Sequence, residues 1–189
     1  MGKRTGADIM ILDATAGNRT MWTTKDSENI IYIDRQTELQ RKPTLFCDNT
    51  QTPFKDKTFD TIFYDPPHQW GQKKHFYCFP KWTEEYYNIY KDTAVPRYYG
   101  WDIYKTRSEL IVHIYKAKDE FYRILKDDGL LWLKWNEMSI PLSKILALFN
   151  RWDILLQLYI KSPSQTHGKH QTYWVCMQKG KDMTKQILL

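Results

Sequence analysis

Cysteine is scarce in this sequence, and long apolar runs are absent from it. The three cysteines, Cys47, Cys78 and Cys176, are an odd number at wide spacing, which argues against a disulfide framework and a four-ligand zinc site. We therefore expect them to be small apolar side chains. His75 and Cys78 lack a second close pair of ligands, so we expect no metal site.

Membrane-crossing and leader segments are also missing from the sequence. No stretch approaches the roughly 18 to 20 apolar residues that cross a bilayer, and the opening MGKRTGADIM has no signal-peptide pattern. We expect a soluble protein of the cytoplasm with no membrane partner. A chain of 189 residues, 42% of them apolar, has the size of one domain with a continuous core.

Positive charge is distributed unevenly along the chain, whose net charge is +6. Residues 1–67 carry nine basic and ten acidic side chains, whereas residues 161–189 carry five basic side chains and one acidic one. A polyanionic partner that meets one face would fit this distribution. Surface lysines that only maintain solubility would fit it as well, and both interpretations stay open here.

Short apolar runs alternate with polar segments, which predicts an α/β fold. The predicted strands are 8–12, 29–33, 44–47, 61–64, 130–135, 152–160 and 171–177, and the predicted helices are 108–125 and 140–149. This order indicates a mostly parallel sheet with helices on both faces and a terminal antiparallel strand, because the last connection is too short for a crossover helix. We expect Gly129 to end the first helix in the left-handed conformation.

Acidic residues follow the first four predicted strands. Asp13, Asp34, Asp48 and Asp65 each come directly after an apolar run. In an open parallel sheet the ligand crevice lies outside the carboxyl ends of the strands. The four carboxylates are therefore expected along one rim of the sheet.

The segment at about 68–106 interrupts the regular alternation. Its 39 residues contain twelve aromatic side chains, and we expect it to be an insertion over the rim, partly helical at 83–90. Irregular segments of this length are uncommon in compact domains unless they bind something. A satellite core or a subunit contact is the alternative interpretation.

Two motifs carry a resemblance to a known family. Asp13-Ala-Thr-Ala-Gly-Asn-Arg-Thr20 and Asp65-Pro-Pro-His68 resemble the class I, Rossmann-like S-adenosylmethionine-dependent methyltransferases, especially the amino-group methylases of nucleic acids. The segments 53–60 and 125–129 extend the resemblance over most of the chain. It implies a single methyltransferase domain over 1–189 with S-adenosylmethionine as cofactor.

The resemblance also implies a set of cofactor-binding residues. Asp13 would meet the ammonium group, directly or through water, and amides of the turn would meet the carboxylate of the cofactor. Asp34 would meet the ribose hydroxyls, and Asp48 with Asn49 the adenine amino group. Small side chains in the first turn let the backbone approach a ligand closely. Arg19 stands where the family often has a second glycine, so we expect the turn to leave the pocket differently. The implied cofactor-binding residues are Asp13, Ala14, Thr15, Ala16, Gly17, Asn18, Asp34, Asp48 and Asn49.

Asp65, Pro66, Pro67 and His68 are the implied catalytic residues. The lone pair of an exocyclic amino nitrogen is delocalised into the base. The Asp65 carboxylate and the Pro66 carbonyl would accept its two hydrogens, while the prolines fix the backbone and remove competing donors. His68 replaces the usual aromatic ring; it either stacks on the base or is a structural imidazole, and Trp70 is another candidate for stacking.

Together these features predict methyl transfer to a base amino group in RNA or DNA. A small molecule or a protein amide is an alternative substrate, and a catalytically silent binding partner with the same fold is a third interpretation. The basic loop 161–170 suits phosphate contacts. Since the first strand starts at residue 8 without a preceding helix, we also expect a homodimer or an accessory subunit.

Overall fold

The computed structural model describes residues 9–70, 103–160 and 171–180. Most of the predicted insertion, at residues 71–102, lies outside the described residues, and so does the basic loop 161–170. No helix within the described ranges combines the length and apolarity needed to cross a membrane.

The described residues form a seven-stranded sheet in the order β3-β2-β1-β4-β5-β7-β6. Strand β7 is antiparallel to both of its neighbours, and the other pairings are parallel. The predicted mostly parallel sheet with an antiparallel last strand is therefore confirmed. The strands are β1 Ile11–Asp13, β2 Ile30–Asp34, β3 Leu45–Phe46, β4 Phe59–Tyr64, β5 Leu125–Asn136, β6 Trp152–Ile160 and β7 Thr172–Lys179, and the described helices are α1 Arg107–Ile124 and α2 Leu142–Leu146.

One face of the sheet packs against the helices. Alternate side chains of β4 and β5 are fully buried there, together with apolar residues from α1 and α2. The ring of Tyr64 lies edge-on to Phe121 of α1 at 4.9 Å. Helix α1 begins after Thr106, whose hydroxyl accepts a hydrogen bond from the Glu109 amide at 3.2 Å, an arrangement that satisfies a free helix-terminal donor.

The described connections between the first four strands differ from regular crossover helices. The described connections 14–29, 35–44 and 47–58 form turns and contain no α-helix. Residues 14–29 are mostly small or polar and lack apolar side chains at helical spacing, which explains why turns replace a helix there.

Aromatic side chains cover part of the opposite face of the sheet. Phe63 lies 5.0 Å from Trp22, 6.3 Å from Trp132 and 6.0 Å from Trp174, measured between ring centroids. These rings alternate along their strands with the residues of the helix-covered core, as side chains of a strand must. They therefore form a second apolar layer that connects β4, β5 and β7.

Gly129 is not a helix cap, which corrects the prediction. Helix α1 ends at Ile124, Leu125 is already extended with φ −76° and ψ 143°, and β5 begins at once. A Cβ at Gly129 would lie 2.8 Å from Leu125 Cγ and 2.9 Å from the Asp60 carbonyl oxygen. Close contact with the neighbouring strand, and not a left-handed backbone, requires glycine here.

The substitution Gly129→Ala should lower the free energy of unfolding by about 1 to 3 kcal/mol, because a backbone atom cannot yield to the added methyl group. Chemical denaturation measures the change. The exposed neighbour provides a control, since Asp128→Ala should stay within about 0.5 kcal/mol of the original chain. Gly129→Asn distinguishes a steric requirement for glycine from a requirement for a left-handed backbone, because asparagine tolerates the left-handed conformation. If Gly129→Asn lowered the free energy of unfolding clearly less than Gly129→Ala does, the steric explanation would be contradicted.

Candidate functional site

The carboxyl ends of β1, β2, β4 and β5 surround a cleft of about 540 Å³. This volume lies within the usual range for sites that bind small molecules and cofactors. The predicted site residues that line it are Ala14, Thr15, Ala16, Gly17, Asn18, Asp34, Asn49, Asp65, Pro66, Pro67 and His68. The structure thus brings the two sequence motifs together at one place, whereas Asp13 and Asp48 lie outside this cleft.

A hydrogen bond from Gly17 to Asp34 shapes the cofactor side of the cleft. The Gly17 amide donates to Asp34 Oδ2 at 2.8 Å, and the Gln36 amide donates to Asp34 Oδ1 at 2.8 Å. Gly17 has φ +48°, and no heavy atom lies within 4 Å of the position that a Cβ would occupy. The turn therefore presents bare backbone to open space, and the Asp34 carboxylate keeps lone pairs for further donors.

Asp13 lies beneath the turn and is only 1% exposed. Its carboxylate accepts hydrogen bonds from the Thr15 amide at 3.1 Å and from the Trp22 indole at 2.7 Å. Burial raises the pKa of Asp13 to about 6. The arrangement gives Asp13 a role inside the turn, and its predicted contact with the cofactor ammonium group gains no geometric support.

Arg19 has φ +58°, in the left-handed region that favours glycine. Its guanidinium donates to the Lys25 and Lys42 carbonyls at 2.8 and 2.7 Å and lies 3.9 Å from the centre of the Tyr32 ring. These contacts offset the roughly 1 to 2 kcal/mol cost of this conformation. The backbone thus adopts the conformation that a glycine would provide, and the expected change in the path of the turn is not needed.

The side chains of Asp48 and Asn49 border two different clefts. Asp48 accepts hydrogen bonds from the amide and the hydroxyl of Thr50, at 2.8 and 2.7 Å, and borders a second cleft of about 410 Å³. Asn49 donates to the Ala14 carbonyl at 2.9 Å and lines the main cleft. Its buried Oδ1 has no hydrogen-bond partner among the described residues, so an unsatisfied acceptor lies beside the cofactor side of the cleft.

Asp65 connects the first turn with β4 and β5. Its amide donates to the Thr15 hydroxyl at 2.8 Å, and its Oδ2 accepts from Lys134 Nζ at 2.6 Å. Burial raises the pKa of the Asp65 carboxyl, and the Lys134 ammonium opposes that rise. The side chain is still 33% exposed, so the carboxylate remains accessible from the cleft.

The residues that follow the two prolines are packed closely against the fold. Burial, reinforced by the Lys134 charge, lowers the pKa of His68 to about 4, so its ring is neutral at pH 7. It lies edge-on to Trp135 with a centroid separation of 6.3 Å. Trp70 is partly buried against the main core, which favours a packing role for this ring over base stacking.

Sequence reasoning missed the contribution of β5 and α1 to the cleft. Lys134 lies within the predicted strand 130–135, and a lysine inside such an apolar run is a signal for a specific partner. Arg35, Tyr104 and His113 also line the cleft. The rings of Tyr104 and His113 lie 5.3 Å apart, and burial lowers the pKa of His113 to about 4.

Comparison with known proteins identifies the fold. No family model matches the chain, and no curated protein matches its sequence. A protein from Pyrococcus horikoshii OT3 superposes with a TM-score of 0.55 at 11% identity, over 90% of this chain and 81% of that chain. The N-methyltransferase NodS from Bradyrhizobium japonicum gives 0.52 at 8% identity, over 92% and 86%.

A third solved structure is a SAM-dependent methyltransferase from Methanosarcina mazei. It superposes with a TM-score of 0.50 at 13% identity, over 94% of this chain and 95% of that chain. At these identities the likeness concerns the fold alone. The chain therefore has the Rossmann-like fold of class I SAM-dependent methyltransferases.

The substitution Thr15→Val should lower the free energy of unfolding by about 1 to 2 kcal/mol, because the Asp65 amide loses its acceptor. Thr15→Ser keeps the hydroxyl and serves as the matched control. Thermal or chemical denaturation compares the two variants. Equal stability of the valine and serine variants would contradict a structural role for this bond between the two motifs.

Proposed function

We propose that this chain is a methyltransferase that uses S-adenosylmethionine and methylates an exocyclic amino nitrogen of a nucleic-acid base in RNA or DNA. One observation carries the proposal: Asp65, Pro66 and His68 line the same cleft as the small-residue turn and Asp34. The cleft lies outside the carboxyl ends of the strands, where an open parallel sheet binds its ligand.

The cofactor side of the cleft fits S-adenosylmethionine. Asp34 offers carboxylate lone pairs that suit ribose hydroxyls, and the open backbone at Gly17 suits a ligand that approaches the turn closely. The unsatisfied Asn49 Oδ1 suits an amino group such as that of adenine, because a buried acceptor without a donor costs free energy. The cofactor would supply a methyl group already activated on a sulfonium.

The substrate side of the cleft fits an amino nitrogen. Lys134 binds Oδ2 of Asp65, so Oδ1 is left to accept one N–H of the substrate while the Pro66 carbonyl accepts the other. Two fixed acceptors would draw the nitrogen toward tetrahedral geometry and direct its lone pair at the methyl group, a contribution of positioning and preorganised electrostatics. A neutral His68 adds no positive charge beside the sulfonium.

Two features of the sequence support a nucleic-acid substrate. Asp65-Pro-Pro-His68 resembles the signature of amino-group methylases of nucleic acids, and residues 161–189 carry five basic side chains against one acidic one. A polyanion gains affinity from such charge through counterion release.

Two variants should separate cofactor binding from methyl transfer. Asp34→Ala should weaken S-adenosylmethionine binding about 10-fold or more, because it removes charge-assisted hydrogen bonds. Asp65→Ala should bind the cofactor with nearly unchanged affinity and lose about 100-fold or more in transfer rate. Calorimetry measures binding, and tritiated methyl transfer to total RNA and to unmethylated DNA measures activity.

Asp60→Asn is the matched control for these variants, since Asp60 lies at the other end of β4 and does not line the cleft. It should retain both binding and transfer. Absence of cofactor binding by the original chain would overturn the proposal altogether. Cofactor binding without label in either polymer would overturn only the nucleic-acid part and leave a small molecule or a protein amide as substrate.

The pH dependence of the transfer rate should report the ionisation of Asp65. Only the ionised carboxylate combines a negative charge with free acceptor oxygens for the substrate N–H. Lys134→Met removes the cation that lowers the Asp65 pKa. The ionised fraction at a given pH then falls, and the acidic limb of the rate profile should move to higher pH. Lys134→Arg keeps the charge and should restore the limb. An unchanged limb in the methionine variant would contradict this assignment.

A further inference from the structure

The outer edge of β6 is the end of the sheet. Strand β6 spans nine residues and pairs with β7 on one side, and no described strand pairs with its other side. An unpaired edge presents a row of backbone N–H and C=O groups that another strand is able to bind. At about 3.3 Å per residue this row is on the order of 30 Å long.

Large apolar side chains on β6 are exposed on both faces of the strand. Leu156 and Leu158 lie opposite Cys176 and Trp174 of β7, on the face that carries Phe63 and Trp132, while Tyr159 lies opposite Tyr173 on the other face. Asp153 is the one charged residue of β6, and the strand contains no proline. The exposed fraction lies between 45% and 53% for each of Ile154, Leu155, Leu156, Leu158 and Tyr159.

Such an edge is unusual for a chain that works alone. Monomeric proteins protect edge strands with lysines, prolines or short length, and β6 has none of these features. The register irregularity against β7 falls between Ile154 and Leu156, which leaves residues 156–160 as a regular strand. The edge therefore has the chemistry of a surface that another strand covers.

We propose that two copies of this chain pair β6 with β6 in antiparallel orientation and join their sheets across a twofold axis at Gln157. In this register Leu156 lies opposite the partner's Leu158, and Leu155 lies opposite the partner's Tyr159. Every exposed apolar residue of the regular stretch thus meets an apolar residue, and the two Gln157 amides face each other. Such an interface is self-complementary, as a twofold dimer requires.

The sequence of β6 favours a second copy over an unrelated partner. A twofold axis at Leu156 or Leu158 would place Gln157 opposite Leu155 or Tyr159, whereas the axis at Gln157 pairs apolar residues with apolar residues, so the apolar pattern favours this register. The pairing at Gln157 also keeps the two Asp153 carboxylates at opposite ends of the paired strands. Like charges directly opposite each other, which destabilise strand pairs, are thereby avoided.

The proposed interface is independent of the proposed activity. The cleft lies at the carboxyl ends of β1, β2, β4 and β5, and β7 separates β5 from β6 in the sheet. Pairing at β6 therefore leaves the cleft of each copy accessible. Disruption of the dimer should leave binding to the cleft unchanged.

Light scattering coupled to size-exclusion chromatography of the full chain should give twice the chain mass of 22.8 kDa. The double variant Leu156→Lys/Leu158→Lys places a lysine opposite a lysine at each pair and should elute with the mass of one chain. The matched control is Val112→Lys on α1, where an apolar side chain of similar exposure, 51%, is replaced. This control should remain dimeric.

Oxidative cross-linking tests the register without disturbing the fold. Directly opposed strand residues have Cα separations of about 4.5 to 5.5 Å, within the range that a disulfide spans. Gln157→Cys should form a covalent dimer rapidly, and Asp153→Cys should react no faster than the original chain with its native cysteines. A monomeric original chain, a dimer that persists in the double lysine variant, or failure of Gln157→Cys to cross-link would each overturn the proposal.

Discussion

The hydrogen bond between the Asp65 amide and the Thr15 hydroxyl is the constraint on which the site depends. It joins the turn after β1 to the residues after β4, and these are the two segments with the most specific sequence motifs. The neighbouring bond from Gly17 to Asp34 adds the end of β2. Three strand ends are thus fixed relative to one another by short polar contacts, so the backbone and the carboxylates keep one geometry around the cleft.

Burial and the Lys134 charge have opposite effects on the pKa of Asp65 in the cleft. Burial favours the neutral acid, whereas Lys134 favours the carboxylate. The same lysine, together with burial, disfavours a charged His68. Lys134 therefore lowers the pKa of both neighbours: it opposes the effect of burial at Asp65 and reinforces it at His68.

The sequence was most informative about strand ends and least informative about what surrounds them. Short apolar runs with terminal acidic residues predicted the parallel sheet, and Asp34, Asn49 and Asp65 do line the cleft. Position after a strand does not determine burial, however. Asp13 ends β1 but lies beneath the turn, where Trp22 and Thr15 donate hydrogen bonds to its carboxylate.

The remaining differences between prediction and structure have tertiary causes. Gly129 was expected to terminate a helix, whereas the close approach of the Asp60 carbonyl determines its identity, and such a contact has no local signature. Lys134 and His113 reach the cleft from β5 and α1. Their contribution depends on how these elements pack against β4, which periodicity along the chain does not encode.

The absence of α-helix from the described connections 14–29, 35–44 and 47–58 has a consequence for the order of folding. Parallel strands joined by turns gain little from local contacts, and pairing between distant residues is slow because chain entropy is lost before contacts form. The second half has α1 and the antiparallel neighbours β6 and β7, whose contacts are closer in sequence. The contacts between β6 and β7 are thus more local than those among β1, β2 and β4, on which the cleft depends.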